Sequence, residues 1–242
     1  MYQLKKLSAI INQIAVSTSK QTAFSELLDY ALLPFEYFET AEELRAAHEK
    51  LQSYKHRQQL STFLTELAEL NPEGFGDPLG EFYMQEISHG HLGQFYTPEY
   101  VASLMALSVG TRPLNDGERV LDPACGSGRM LLAMGRYNRH LRFYGADLDK
   151  VCCKMALLNL LLNSLSGEIA HMNSISNEFY EGYKITTLLK GGYHYPYFIR
   201  FQEKEKSEIW IHPATHKNED EANQKGASKI HVIQGDLFKG LL

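Results

Sequence analysis

The sequence predicts an α/β protein in which a helical amino-terminal module precedes a sheet domain. Apolar residues recur at helical spacing up to residue 70. An apolar strand at 119–122 runs through a glycine turn into a helix, and a second strand at 142–147 also ends in an acid before a helix. Strands and helices that alternate in this way build a parallel, doubly wound sheet, the Rossmann-like arrangement. We therefore place the helical module at residues 1–75 and a partial sheet domain at residues 76–242.

The amino-terminal module should be held together by the apolar faces of its helices. Thr40 and Glu43 form a capping box, which predicts a helix from Ala41 to about Tyr54. Asn71 and Pro72 end the last apolar stripe. The stripes consist of Leu4, Leu7, Ile10, Ile11 and Ile14, then Leu27, Leu28, Ala31 and Leu32, and finally Leu60, Phe63, Leu64, Leu67 and Leu70.

The most informative segment is the glycine turn after the first strand. Val120 and Leu121 supply the apolar strand, and Asp122 ends it. The turn itself is Cys125, Gly126, Ser127 and Gly128, and an apolar helix follows. A strand that passes through such a turn into a helix builds a ligand site at the carboxyl edge of a parallel sheet. A purely structural turn is the alternative.

The residues around the turn argue against a dinucleotide. That fingerprint requires glycines spaced G-x-G-x-x-G, and Leu131 stands where the third would be. The carboxylate of Asp122 would repel a pyrophosphate but attract a cation. S-adenosylmethionine has an amino group and a sulfonium and lacks phosphate, so it fits better, and the glycines allow its methionine part to approach the main chain.

The second strand predicts the residue that binds the ribose. Asp147 lies 19 residues after Gly128, close to the spacing of the acid that binds ribose hydroxyls in such sheets. A carboxylate suits that role because its two oxygens can accept from two adjacent hydroxyls. We assign Asp149 to the cap of the next helix and include Leu148, between the two acids, in the site.

A third strand is expected at Ile230–Phe238, where Asp236 would accept from the exocyclic amine of adenine and Leu237 would lie beside it. Because a helix-to-strand connection usually takes about 2–6 residues, residues 165–229 are predicted to be an insertion. Within it, 195–201 and 208–212 are expected to form a strand pair.

A further part of the site is expected upstream of the turn. Thr97 followed by Pro98 predicts a helix start, with the threonine as N-cap. Gln94 and Phe95 precede it, and aromatic rings at this place could sandwich an adenine. An ordinary capped helix explains Thr97 and Pro98 equally well.

Three strings carry a family resemblance: GQFYTPEYVASLMA, DPACGSGRMLLA and FYGADLDKVCCKMALLNLLLN, in that order. Together they resemble N6-adenine DNA methyltransferases, above all the modification subunits of type I restriction-modification systems, and Asp77–Tyr83 resembles the family's approach to the site. The resemblance implies an S-adenosylmethionine-dependent methyltransferase domain that acts on DNA, with a separate specificity subunit or domain reading the sequence. It also implies cofactor contacts from Thr97, Asp122, Gly126, Gly128, Asp147 and Asp236.

One motif of that family is missing. Its members carry an Asn/Asp-Pro-Pro-Phe/Tyr loop that holds the target adenine, and the nearest string here, Asn71-Pro72-Glu73-Gly74, lacks the second proline and the aromatic. No catalytic residue is therefore identified, and the chain alone is expected to be inactive. The alternative is a non-catalytic protein of the same fold that binds S-adenosylmethionine or a partner.

The predicted sheet also leaves an open edge. Three strands in the order 3-2-1 place the first at the edge, where its unpaired main-chain groups invite another strand. We expect either a fragment of a longer methylase or a protein whose sheet is completed by a partner chain or a second copy.

Composition excludes several classes of protein. The net charge of −5 argues against a continuous basic surface for DNA. The amino terminus lacks a signal peptide or spanning segment, and three unpaired cysteines favour a cytoplasmic protein. No metal site is expected, because Pro213 between His212 and His216 spoils a helical pair.

Overall fold

The computed structural model of the chain describes residues 4–88, 97–109 and 114–211. Its α-helices within these ranges are α1 Lys5–Ile14, α2 Lys20–Leu32, α3 Ala41–Gln52, α4 Arg57–Leu70, α5 Pro78–Tyr83, α6 Glu99–Val109, α7 Arg129–Tyr137 and α8 Lys150–Leu162. Its strands are β1 Arg119–Asp122, β2 Arg142–Asp147, β3 Ser166–Asn173, β4 Glu178–Lys190 and β5 Tyr193–Phe201. The α/β fold is thus confirmed.

The amino-terminal helices form where the apolar stripes predicted them. The capping box of α3 is present, with Thr40 and Glu43 each accepting a hydrogen bond from the main-chain N–H of the other. The apolar side chains of α1, α2 and α4 are buried in a cluster that continues into the sheet domain and includes Phe143 and Ile169. The boundary at residue 75 stays a prediction.

The five strands form one sheet in the order β1-β2-β3-β4-β5. The first three are parallel, with Leu121 opposite Tyr144 and Tyr144 opposite Glu168. Strands β4 and β5 continue the sheet by antiparallel pairing. Among the described strands β1 has a neighbour on one side only, as predicted.

The third strand is not where the sequence predicted it. β3 follows α8 after a short connection, and its residues 166–171 pair with the whole length of β2, so the place beside β2 that we expected for Ile230–Phe238 is taken. The insertion expected at 165–229 instead begins with three strands of the sheet. The reason is chemical: Glu168 is polar yet only 1% exposed, because Ser207 and the N–H of Glu208 donate to its carboxylate.

The prediction that residues 195–201 pair with residues 208–212 is also wrong. The first segment is β5, but it pairs with β4. Residues 202–211 instead cross the face of the sheet opposite α7 and α8. Trp210 packs there against Ala146, Ala170 and Met172, and its indole N–H donates to the carbonyl of Asn177 at 3.0 Å.

Helix α8 lies between the sheet and α2, as its apolar faces predicted. Cys152 and Cys153 are buried in it as free thiols. Although α8 is strongly apolar, no helix within the described ranges is long and apolar enough to cross a membrane.

The close packing of β3 against β2 depends on Gly167, where an added Cβ would lie 1.8 Å from the carbonyl oxygen of Phe143.

Candidate functional site

The carboxyl ends of β1, β2 and β3 meet at one edge of the sheet, where such folds bind ligands. The glycine turn follows β1 there, and Asp147 ends β2. The loop after β3 touches the same place, because the Ser174 hydroxyl donates to the carbonyl of Pro123 at 2.7 Å. The structure therefore brings two of the predicted segments, the glycine turn and the end of β2, together with a loop that the sequence did not predict.

The turn needs its glycines for both conformation and space. Gly126 and Gly128 have φ values of 53° and 82°, in the left-handed region that side chains rarely adopt. At Gly128 an added Cβ would lie 3.2 Å from the Cβ of Ala156 and 3.3 Å from its Cα. The turn can thus pass close to α8 only because this position has no side chain, and α7 begins directly after it.

Asp147 is held against the turn by the main chain. Its Oδ2 accepts from the N–H of Gly126 at 2.8 Å, and its Oδ1 accepts from the N–H of Asp149 at 2.8 Å. The predicted cap at Asp149 is confirmed, since its Oδ1 accepts from the N–H of Val151 at 2.8 Å. A carboxylate oxygen has two lone pairs, so each oxygen of Asp147 retains capacity for a ligand hydroxyl.

Both acids of the site sit in partly desolvated surroundings. Burial raises the pKa of Asp147, opposed by the hydrogen bonds from Asp149 and Gly126, while the negative charges of Asp149 and Asp122 raise it further. Burial likewise raises the pKa of Asp122, opposed by the N–H of Ala124. Desolvation disfavours the charged form of each carboxyl group. A ligand cation near Asp122 and Asp147 would offset this cost by its attraction to the two carboxylates.

Two other predicted residues of the turn face inward. Ser127 is fully buried, and Cys125 is 5% exposed. Burial raises the pKa of the Cys125 thiol well above its ordinary value, so the thiol is an inert packing group. Any contact that these two residues make with a ligand would therefore use their main chain. Leu148 is the opposite case, with its side chain 60% exposed beside Asp147.

A buried polar network that the sequence did not predict fixes the turn from behind. Among the described residues, Asp77, the N-cap of α5, accepts hydrogen bonds from Gly80, Asn159, Ser127 and Arg129. Its Oδ1 receives the N–H of Gly80 at 2.8 Å and the amide of Asn159 at 2.9 Å. Its Oδ2 receives the Ser127 hydroxyl and Nε of Arg129 at 2.9 Å. The Asn159 amide also donates to the Ser127 carbonyl at 2.9 Å.

The network leaves no room for a larger residue at Gly80. A Cβ there would lie 2.2 Å from both Asp77 Oδ2 and Ser127 Oγ. The sequence signal was an Asp-Pro pair, which marks a helix start in the same way as Thr97 and Pro98. This signal does not show that Asp77 is buried against the glycine turn, which lies more than 40 residues further along the chain.

Thr97 is linked to the turn through its main chain. The Arg129 Nη1 donates to the Thr97 carbonyl at 2.9 Å. Helix α6 begins at Glu99, one residue later than a Thr97 cap would place it. Thr97 thus lies near the glycine turn, as predicted, while Gln94, Phe95, Asp236 and Leu237 lie outside the described residues.

The end of β3 presents polar groups that sequence reasoning did not assign to the site. His171 Nε2 donates to the carbonyl of Leu148 at 3.1 Å, which requires the tautomer protonated there. Asn173 Oδ1 accepts from the N–H groups of Ile175 and Ser176 at 3.0 and 3.2 Å and shapes the loop. These contacts fix the main chain beside Asp147.

Known proteins resemble a part of this chain. A type I restriction enzyme MjaVII methylase subunit from Methanocaldococcus jannaschii is 35% identical over 81 residues, 31% of this chain and 14% of that protein. The ribosomal RNA large subunit methyltransferase F from Aeromonas salmonicida is 39% identical over 69 residues, 28% of this chain and 22% of that protein. The chain therefore spans a minor part of the length of these relatives.

Among solved structures, a type I restriction-modification system methyltransferase subunit from Streptococcus thermophilus aligns with a TM-score of 0.34 and 22% identity, covering 66% of this chain and 40% of that chain. The family model of N-6 DNA methylases matches residues 74–221. This match takes in more than half of the sequence and contains α5, the glycine turn and Asp147. The chain belongs to the N-6 DNA methylase family.

Proposed function

We propose that this chain is the S-adenosylmethionine-binding part of a DNA adenine-N6 methyltransferase related to type I modification subunits. S-adenosylmethionine is the methyl donor of this family. The observation that carries the proposal is Asp147, whose two oxygens are oriented by the N–H groups of Gly126 and Asp149. An acid so fixed beside a glycine turn suits the two hydroxyls of a ribose.

The described residues fit the chemistry of this cofactor. Asp147 would accept from the ribose hydroxyls, and the exposed side chain of Leu148 would lie against the adenine. The main chain of the turn, from Cys125 to Gly128, would approach the methionine part together with Thr97. Asp122 would face its positive charges, because a partly desolvated carboxylate is stabilised by a cation.

The proposed reaction is methyl transfer to the N6 amine of an adenine in DNA. When bound, S-adenosylmethionine would supply an electrophilic methyl group to the lone pair of the amine; its S–CH3 bond would break to leave S-adenosylhomocysteine, and the amine proton would pass to solvent. This chain's residues would contribute by binding and positioning. The Asn/Asp-Pro-Pro-Phe/Tyr loop that would hold the adenine is absent from these 242 residues, so we expect the chain alone to be inactive.

DNA and a specificity subunit are the proposed macromolecular partners. The net charge of −5 indicates that most of the DNA contact would come from elsewhere. We also propose that a partner chain or a second copy adds a strand to the open edge of β1. Leu121 on that strand is 57% exposed, and such pairing would cover apolar surface at this edge.

A non-catalytic protein that binds S-adenosylmethionine is the alternative. The ribosomal RNA methyltransferase relative matches 69 residues of this chain, so sequence similarity of this extent leaves the methyl acceptor open. Methylation of adenine-containing DNA, after addition of a segment that carries the missing loop, would support the methyltransferase. Methyl transfer to RNA alone, or to neither, would contradict DNA as the substrate.

Calorimetry tests the cofactor site directly. We expect the chain to bind S-adenosylmethionine and Asp147→Ala to weaken binding by about tenfold or more, since hydrogen bonds to a charged group contribute about 1.5–3 kcal/mol each. Asp116→Ala is the matched control, because Asp116 is an exposed acid in the turn that precedes β1. Equal affinities of the two variants would exclude Asp147 from the site, and no binding by the wild type would refute the proposal.

A further inference from the structure

The ion pair between Asp77 and Arg129 lies behind the glycine turn, in the protein interior. Their side chains are 3% and 7% exposed. Removing one partner of such a pair leaves a buried charge uncompensated, so the pair is a fixed element of the structure. It joins α5 to the first residue of α7, directly after the turn.

Arg129 connects this pair to a second segment. Its Nε donates to Asp77, and its Nη1 donates to the Thr97 carbonyl, both at 2.9 Å. Its Nη2 lies 3.4 Å from a carboxylate oxygen of Glu81. The planar guanidinium fork can serve three acceptors in fixed directions, which a lysine ammonium cannot reproduce. Arg129 therefore sets the distance between the glycine turn and the start of α6.

The same network holds the turn on its other side. The Ser127 hydroxyl donates to Asp77, and Asn159 donates to both Asp77 and the Ser127 carbonyl. The turn thus cannot shift relative to Thr97 without breaking hydrogen bonds of a buried charge. Because all three guanidinium nitrogens already contact protein atoms, Arg129 would act on a ligand through the main chain that it holds.

We propose that Arg129 and Asp77 are positioning residues for the amino-acid end of the cofactor. They fix the glycine turn and Thr97 as a preformed slot for the methionine part. The inference rests on the proposed function, which places the methionine part between these two segments. The adenosyl end lies instead beside Asp147 and Leu148, where His171 holds the Leu148 carbonyl. The two ends of the ligand therefore depend on separate sets of supporting residues.

This separation gives a test with two ligands. S-adenosylhomocysteine has both ends, whereas 5′-methylthioadenosine has the adenosyl end without the amino acid. Arg129→Lys keeps a positive charge beside Asp77 but cannot reach the Thr97 carbonyl at the same time. We expect it to weaken binding of S-adenosylhomocysteine about tenfold, as for one lost charge-assisted hydrogen bond. Binding of 5′-methylthioadenosine should stay within about twofold of the wild type.

His171→Ala, which removes the donor to the Leu148 carbonyl, is the matched control at the other end, and it should weaken both ligands by the same factor. Calorimetry on the full chain gives the affinities, and the emission of Trp210, the single tryptophan, reports whether each variant is folded. If Arg129→Lys unfolds, Ser127→Ala keeps the ion pair, and we expect it to weaken S-adenosylhomocysteine selectively. Equal weakening of both ligands by Arg129→Lys, or none, would overturn the inference. A wild-type chain that binds neither ligand would refute the proposed function itself.

Discussion

Substitution of Gly128 by alanine tests whether the turn is shaped by close packing as well as by backbone conformation. With φ at +82°, a Cβ costs about 1–2 kcal/mol of left-handed strain, partly offset by about 0.4–1 kcal/mol from the more restricted unfolded chain. The new Cβ would also lie 3.2–3.3 Å from the Cβ and Cα of Ala156. Since α8 is buried and cannot retreat freely, overpacking adds about 1–3 kcal/mol. We expect a loss of about 3 kcal/mol in the free energy of unfolding.

Gly117→Ala provides the matched control. Gly117 has nearly the same φ of +81°, but nothing lies within 4 Å of an added Cβ, so only strain remains and the loss should be about 1 kcal/mol. Urea unfolding followed by the fluorescence of Trp210 measures both variants. A difference of about 2 kcal/mol corresponds to roughly 4–8 °C in Tm.

Equal losses in the two variants would refute the packing argument and leave backbone strain as the whole effect. A double-mutant cycle with Ala156→Gly locates the contact, because it removes the nearer of the two atoms. We expect Gly128→Ala to cost less in that background, by about 1 kcal/mol. Additive effects would mean that α8 does not limit the turn.

Two further predictions concern the site and the sheet edge. Because burial raises the pKa of Asp147 and Asp122, both lose their charge at a higher pH than a free aspartate, so affinity for S-adenosylmethionine should fall as pH drops through that range. The free energy of unfolding without ligand should change in the opposite direction, because a carboxyl group whose pKa is raised in the folded state makes the protein less stable as pH rises. Calorimetry measures the affinity and urea unfolding measures the stability, both between mildly acidic and neutral pH. An affinity that does not change with pH would contradict the assignment. If a second copy pairs at the edge of β1, sedimentation velocity should show a dimer, and Leu121→Lys should dissociate it. A monomer at every concentration would contradict pairing with a second copy and leave a different chain as the partner at this edge.

The sequence predicted the parts of the site that depend on local structure. A left-handed turn between strand and helix requires glycines, which made Gly126 and Gly128 recognisable. Asp149 was assigned correctly as a cap because capping depends on main-chain groups within one turn of helix. The apolar faces of α8 likewise predicted its burial on more than one side. The placement of Thr97 and Asp147 near the turn followed from the order of the elements along the chain.

The errors arose where distant residues compensate a polar side chain. β3 was missed because Glu168 is buried only with the help of Ser207 and Glu208, some 40 residues later. The third strand was sought at Ile230–Phe238 because that segment is rich in β-branched residues and ends in Gly-Asp, and β4 was not predicted. A buried charge looks unsuitable for a strand until its partner is known, and sequence spacing does not reveal that partner.

The sequence by itself thus determined a glycine turn, an acid at the end of the next strand, the resemblance to N-6 DNA methylases, and the absence of an Asn/Asp-Pro-Pro-Phe/Tyr string from these 242 residues. Only the tertiary structure decided which groups hold that chemistry in place. Asp77 and Arg129 lie 52 residues apart, and although the Asp-Pro pair marks Asp77 as a helix cap, nothing in the sequence shows that Arg129 is its partner. Their role comes from burial, because a desolvated ion pair needs every partner within hydrogen-bonding distance, and only the folded chain brings α5, the turn and Thr97 that close.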